Sequence, residues 1–90
     1  MVQVKRGQEA EFERLFAELR SEMRTHEPGC LVYSLLKSRA KLGAYIVHEQ
    51  YQDQKALDTH QKSAHGAKYF PLMRAMVEKI QVEYFDGAVD

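Results

Sequence analysis

The 90-residue chain contains one cysteine and two prolines, and it has neither tryptophan nor asparagine. A lone cysteine, Cys30, cannot form an intrachain disulfide, and no second thiol is present for a cysteine-based metal cage. No stretch approaches the roughly 20 apolar residues that span a bilayer, and the opening MVQVKRGQEAEF has no apolar signal-peptide core. These absences argue against a disulfide-stapled or membrane-spanning protein and predict a cytoplasmic location.

The chain also lacks an excess of either charge. Thirteen Lys and Arg balance thirteen Asp and Glu, so no broad basic surface is expected to attract nucleic acid or anionic lipid. The length predicts a single domain over residues 1–90. A domain of this size buries only about 60–65% of its surface. An apolar content of 44% therefore indicates that a second copy covers part of the apolar surface.

An apolar stripe predicts a long helix from residue 8 to about residue 25. Its members recur at helical spacing and are Phe12, Leu15, Phe16, Leu19 and Met23. Pro28 and Gly29 are expected to end it. Strands are predicted at residues 1–5, 30–37 and 44–52, because these short segments are rich in valine and tyrosine and are bounded by turn residues.

The C-terminal half is less regular. Asp53 is a candidate N-cap for a short helix that runs to about Gln61, and Ser63 is a second cap candidate. Gly66 and Pro71 argue against one unbroken helix after Ser63. A helical stripe is predicted to resume over residues 72–77, and a last strand over residues 78–85, followed by a tail at residues 86–90.

This order, β-α-β-β-α-β, predicts an α+β, ferredoxin-like fold with a four-stranded antiparallel sheet and helices on one face. The strand CLVYSLLK (30–37) is apolar on both sides. Simple alternation places Leu31, Tyr33 and Leu35 on one face, and Cys30, Val32, Ser34 and Leu36 on the other. Whichever of these two faces the helices leave bare, the simplest cover for it is another subunit packed sheet to sheet about a two-fold axis.

Three segments carry a resemblance to a known family: HEPGCLVYSL (26–35), YIVHEQYQD (45–53), and the group Ala56, Leu57, Thr59, His60 and His65. Together they resemble the antibiotic-biosynthesis-monooxygenase-like domains of the dimeric α+β barrel superfamily. The resemblance implies a homodimer whose sheets form a barrel, with a pocket between sheet and helices in each subunit. It also implies cofactor-independent oxidation of a quinol or polyphenolic aromatic by O₂, without flavin or metal.

This sequence differs from the family pattern at two points, and the differences limit which family reactions are expected. Members that oxidise anthrone-like polyketides or degrade haem use an Asn and a Trp beside a histidine, and this chain has neither residue. Tyr51 stands where many relatives have Trp. Two alternatives therefore stay open: isomerisation or breakdown of a small oxygenated signalling molecule, and a non-catalytic module that binds a small ligand or acts in stress.

A cofactor-free oxygenase needs a base, and a histidine with an unperturbed pKa of about 6.5 suits this role. His60 follows Ala56 and Leu57 on one helical face, and His65 lies at a helix entrance, so these two are the candidate catalytic residues. His48 alternates along a strand and is expected at the dimer contact instead. Cys30 is expected to be an inert small hydrophobe.

Tyr51, Phe70 and Met73 are the candidate substrate-binding residues. The family resemblance implies an aromatic pocket residue at Tyr51, and Phe70 and Met73 can form an adaptable apolar wall. No metal site is predicted. On a continuous helix His60 and His65 would diverge by about 140°. A third ligand would have to come from His48 or from Glu49.

Glu49 is expected to have a structural role instead, pairing across the dimer with Arg39 or Arg74.

Overall fold

The computed structural model describes residues 1–87, so the last three residues of the predicted domain and tail lie outside the described residues. Its elements, in chain order, are β1 (Val2–Val4), α1 (Glu9–His26), β2 (Cys30–Lys37), β3 (Ala44–Tyr51), α2 (Gln54–Gln61), α3 (Ala64–Arg74) and β4 (Val77–Ile80).

The strands form one antiparallel sheet in the order β2-β3-β1-β4. This is the ferredoxin-like arrangement, so the predicted fold class is confirmed. The helices pack on one face of the sheet, while Leu36 and Ile46 are exposed on the other. No helix within residues 1–87 is long and apolar enough to cross a membrane.

Helix α1 supplies most of the core. All five members of its predicted stripe are buried, and Leu19 is completely inaccessible. Gly7 precedes the helix with a φ of 89°, a conformation that glycine adopts without steric cost. At the other end, the backbone N–H of Glu27 donates to the Met23 carbonyl oxygen at 2.8 Å. This bond places the Glu27 side chain directly beyond the last turn of α1.

A β-bulge changes the faces of β2. Cys30 pairs with Tyr51 and Val32 pairs with Gln50, so β2 has one more residue than β3 at this point. The side chain of Cys30 therefore packs against the core beneath the helices, as Tyr33 and Leu35 do. Leu31 is exposed. The predicted face was wrong for Cys30 and Leu31, because simple alternation assumes an unbroken ladder.

The predicted interruption after Ser63 was also wrong. Helix α3 is continuous from Ala64 to Arg74 and includes both Gly66 and Pro71. The Ser63 hydroxyl oxygen accepts a hydrogen bond from the Gly66 N–H at 3.1 Å and caps the helix. Pro71 has no N–H to donate to the carbonyl four residues earlier, yet the helix continues past it to Arg74.

The remaining C-terminal predictions need correction. The stripe predicted over residues 72–77 does not form one helix, because α3 ends at Arg74 and Val77 begins β4. Strand β4 ends at Ile80, and residues 81–87 have no regular secondary structure. Ile80 pairs with Val2, the first residue of β1, so the regular ladder of β4 ends where β1 begins.

Glu13 links α1 to the sheet. Its Oε2 accepts a hydrogen bond from the Tyr45 hydroxyl at 2.6 Å and lies 3.1 Å from the Lys37 Nζ. These two contacts, the tyrosine first, hold the pKa of the Glu13 carboxyl below its usual range.

Glu13→Gln is expected to lower the free energy of unfolding by about 1 kcal/mol at neutral pH, because it removes a partly exposed charge-assisted hydrogen bond. The folded-state pKa is lowered, so the carboxylate stabilises the fold above its unfolded pKa of about 4.3. That stabilisation is lost as the pH falls through the lower, folded value. Urea unfolding should therefore show the variant and the wild type converging below about pH 4. Glu78→Gln, at an exposed position on β4, is the control, and a pH-independent difference for Glu13→Gln would contradict the prediction.

Candidate functional site

A partly open cavity of about 880 Å³, called the inner cavity, lies between the sheet, α2, α3 and the segment that follows β4, and its lining extends to Leu36, Ile46 and His48 of the outer sheet face. Its lining is mainly apolar and aromatic, and it includes Tyr33, Tyr51, Leu57, His60, Phe70 and Met73. The three candidate substrate-binding residues and one candidate catalytic histidine therefore lie around a single cavity. A flat aromatic molecule suits such a lining, since apolar walls with a few polar groups are typical of small-molecule sites.

Local capping sets the direction of His60. The Asp53 carboxylate accepts a hydrogen bond from the Ala56 N–H at 2.9 Å and begins α2. Two turns later His60 points toward the sheet and is 5% exposed. Its ring centroid lies 5.1 Å from that of Phe70, 5.4 Å from that of Tyr51 and 5.6 Å from that of Tyr33. Three aromatic rings thus surround the imidazole, which is part of the lining of the inner cavity.

Glu27 is a functional candidate that the sequence analysis missed. Its side chain is 3% exposed, and its two carboxylate oxygens lie 3.1 and 3.2 Å from His60 Nδ1. His65 Nε2 contacts the Oε2 of the same carboxylate. Glu27 lies within the segment HEPGCLVYSL, yet a glutamate at a helix end is usually exposed, and only the packing of α2 and α3 reveals its burial.

His65 lies in a different part of the molecule from the inner cavity. It lines an outer groove of about 800 Å³ between the end of α1, α2 and α3, together with Glu22, His26 and Lys55. Its ring stacks on that of His26 with a centroid separation of 6.0 Å. The two candidate catalytic histidines therefore meet at Glu27 while facing different cavities.

The two candidate catalytic histidines do not share one continuous helix. His60 belongs to α2 and His65 to α3, and the turn between the helices lets both approach Glu27. The ligand atoms of these three residues lie within 4.8 Å of one another, so they form a set that could hold a divalent cation. Glu27, and neither His48 nor Glu49, completes that set. The separations between His60 Nδ1 and the carboxylate oxygens are those of direct hydrogen bonds, so the three groups would have to move apart around a shared centre.

Glu49 closes the other side of the His60 ring. The Tyr51 hydroxyl donates to Glu49 Oε1 at 2.7 Å, and this oxygen lies 3.8 Å from His60 Nε2. Burial, reinforced by the hydrogen bond to Glu49, raises the pKa of Tyr51 far above its usual range. Burial also raises the pKa of Tyr33, with a smaller contribution from the Glu49 charge. Both tyrosines are therefore protonated at working pH, and the Tyr51 hydroxyl is already donated to Glu49.

The sequence also predicts an inert role for Cys30 and a dimer contact for His48, two residues near this site. Burial raises the pKa of the Cys30 thiol, and the charges of Glu27 and Glu49 add to the effect. A protonated thiol is a poor nucleophile, which suits an inert role. His48 is exposed on the outer sheet face, opposite Ser34 of β2. Its role as a dimer contact and the pairing of Glu49 across a dimer stay predictions.

Comparison with solved structures identifies close structural relatives. A proposed antibiotic biosynthesis monooxygenase from Caulobacter crescentus CB15 is 33% identical, with a TM-score of 0.90, and the match covers 97% of this chain and 83% of that protein. A conserved protein from Methanosarcina mazei Go1 is 29% identical, with a TM-score of 0.80 and coverage of 88% and 77%. A conserved protein of unknown function from Bacteroides thetaiotaomicron VPI-5482 is 25% identical, with a TM-score of 0.78 and coverage of 86% and 81%.

No curated protein matches this sequence. The family model described as antibiotic biosynthesis monooxygenase matches residues 1–72. The matched region runs from β1 into α3 and includes Glu27, Tyr51, His60 and His65. The chain belongs to the antibiotic biosynthesis monooxygenase family.

Proposed function

We propose that this protein is a cofactor-independent monooxygenase that inserts one oxygen atom from O₂ into a quinol or related polyphenolic aromatic. The observation that carries the proposal is the placement of His60 in the inner cavity, where Tyr33, Tyr51 and Phe70 surround its ring. A base in a mainly apolar cavity can create a phenolate next to dissolved oxygen. Family membership supports the reaction class.

The proposed reaction balances without an added reductant. His60 removes a proton from a quinol hydroxyl, and the electron-rich anion reduces O₂ and forms a carbon–oxygen bond. One oxygen atom stays on the ring, the other leaves as water, and the quinol becomes a hydroxyquinone. The substrate supplies all the electrons. The hydroxyl of Tyr51 is donated to Glu49, so the Tyr51 ring acts by packing against the substrate, and Phe70 and Met73 hold the substrate ring with it.

His60 is the preferred base of the two candidate catalytic histidines. It lines the inner cavity beside Tyr51, Phe70 and Met73, whereas His65 lines the outer groove. A base must lie within hydrogen-bond reach of the proton that it removes. In this proposal His65 acts on the reaction through its contact with Glu27.

The proposal includes a homodimer formed through the outer sheet faces. Leu36 and Ile46 pair on adjacent strands of that face and are 51% and 54% exposed. Two such faces packed about a two-fold axis would bury these side chains in a barrel. We also propose that the protein acts in the cytoplasm.

Menadiol supplied under ¹⁸O₂ tests the reaction. The expected result is enzyme-dependent oxygen uptake and a hydroxylated quinone whose mass shows one ¹⁸O atom from O₂. Turnover to an isomer or fragment without ¹⁸O would favour the signalling-molecule alternative. Menadiol recovered unchanged, apart from its autoxidation without protein, would favour the binding module. Either of these results would reject the monooxygenase proposal for this class of substrate.

A further inference from the structure

We propose that Glu27 is a positioning residue that holds His60 in the tautomer with its proton on Nδ1, leaving the unprotonated Nε2 as the base. The catalytic consequence of this tautomer rests on the proposed function, but the tautomer itself does not. In this assignment His65 anchors Glu27 and does not take the substrate proton.

The two sides of the His60 ring differ. Nδ1 faces the Glu27 carboxylate, with separations of 3.1 and 3.2 Å from its two oxygens. Nε2 faces the Glu49 and Tyr51 side of the ring, and Glu49 Oε1 lies 3.8 Å away. An ionised carboxylate only accepts hydrogen bonds, and only the Glu27 oxygens lie within hydrogen-bond distance of the ring, so a neutral His60 carries its proton on Nδ1. In a neutral imidazole the other nitrogen then has a free lone pair.

Because Glu27 is buried, its carboxylate requires the hydrogen bond from His60 Nδ1. A carboxylate whose side chain is 3% exposed has little access to water and needs donors from the protein. His60 provides one donor from the inner cavity. His65 provides a second through Nε2, which contacts Glu27 Oε2. Because that nitrogen is committed to Glu27, it is unavailable to a substrate in the inner cavity.

Loss of the carboxylate should therefore change the tautomer more than the shape of the site. In Glu27→Gln the amide can present its NH₂ group to Nδ1, which favours a proton on Nε2 and removes the base from the cavity side. In enzymes where a carboxylate fixes the tautomer of a catalytic histidine, the amide replacement lowers kcat by about 10⁴-fold. A fall of about 10²–10⁴-fold in kcat is expected here, with KM nearly unchanged, because Glu27 acts through His60.

The tautomer can be measured directly by ¹⁵N NMR of protein labelled at histidine, at a pH where the imidazoles are neutral. The wild type should show the His60 proton on Nδ1, and Glu27→Gln should move it to Nε2. Glu27→Asp should restore part of the wild-type tautomer and of kcat. Glu22→Gln, at an exposed glutamate of α1 that pairs with His26, is the matched control and should change neither.

A wild-type spectrum with the His60 proton on Nε2 would overturn the proposal, and this result does not depend on whether any variant folds. An unchanged kcat and tautomer in folded Glu27→Gln would overturn it as well. Absence of menadiol turnover in the wild type would reject the proposed function instead, and the NMR result would still decide the tautomer.

Discussion

Replacing His60 by alanine is expected to lower kcat for menadiol oxygenation by about 10²–10⁴-fold, the usual contribution of a general base. The two tyrosines beside His60 cannot replace it as the base. Tyr33 and Tyr51 have pKa values raised by burial, so neither forms an anion at neutral pH that could accept the substrate proton. Glu27 lies behind the imidazole and is separated from the inner cavity by it.

Initial rates of oxygen uptake, corrected for autoxidation, give kcat and KM for each variant. His26→Ala is the control, because His26 is an exposed histidine with its Nε2 near Glu22, and it should retain the wild-type rate. His65→Ala should lose less activity than His60→Ala, since His65 contacts Glu27 from the outer groove. Circular dichroism should show that each variant is folded. Equal rates in the wild type, His60→Ala and His65→Ala would remove the proposed base.

A glutamate at Leu36 or at Ile46 is expected to dissociate the proposed homodimer. These residues pair across β2 and β3 and are exposed on the sheet face that the helices do not cover. In a two-fold interface each substitution places like charges in both copies, and an unpaired buried charge costs several kcal/mol. The variant should fold as a monomer, since the side chain faces solvent in the isolated subunit.

Sedimentation velocity over a range of protein concentrations measures this change. Leu42→Glu is the matched control, because Leu42 is an exposed leucine in the turn between β2 and β3 and lies outside the strand face. It should sediment as the wild type does. A wild type that is monomeric at every concentration measured, or a Leu36→Glu variant that stays dimeric, would contradict the proposed interface.

Local patterns were sufficient for most of the fold. The stripe of α1 and the strand CLVYSLLK depend on periodicity and on flanking turn residues, which the chain shows within a few positions. Helix α1 begins and ends within a residue of its predicted bounds, and β2 spans the predicted residues. The element order then limited the topology to the ferredoxin-like arrangement, because short connections leave few ways to pair the strands.

Errors arose where distant packing outweighed local preference. Gly66 and Pro71 disfavour a helix, yet the burial of Tyr69 and Met73 against the core keeps α3 continuous. The bulge at Leu31 and the end of β4 depend on the partner strands. Neither is marked by a residue type in its own segment.

The sequence by itself determined α1, β2, β3 and the ferredoxin-like order of the elements, and it placed His60 on one helical face with Ala56 and Leu57, because each of these depends on local periodicity. Only the tertiary structure decided which residues share the site. Glu27 is 33 residues from His60 and 38 from His65 along the chain, and burial of all three side chains brings them together. Folding also placed His60 in the inner cavity and His65 in the outer groove, a difference that no local pattern contains.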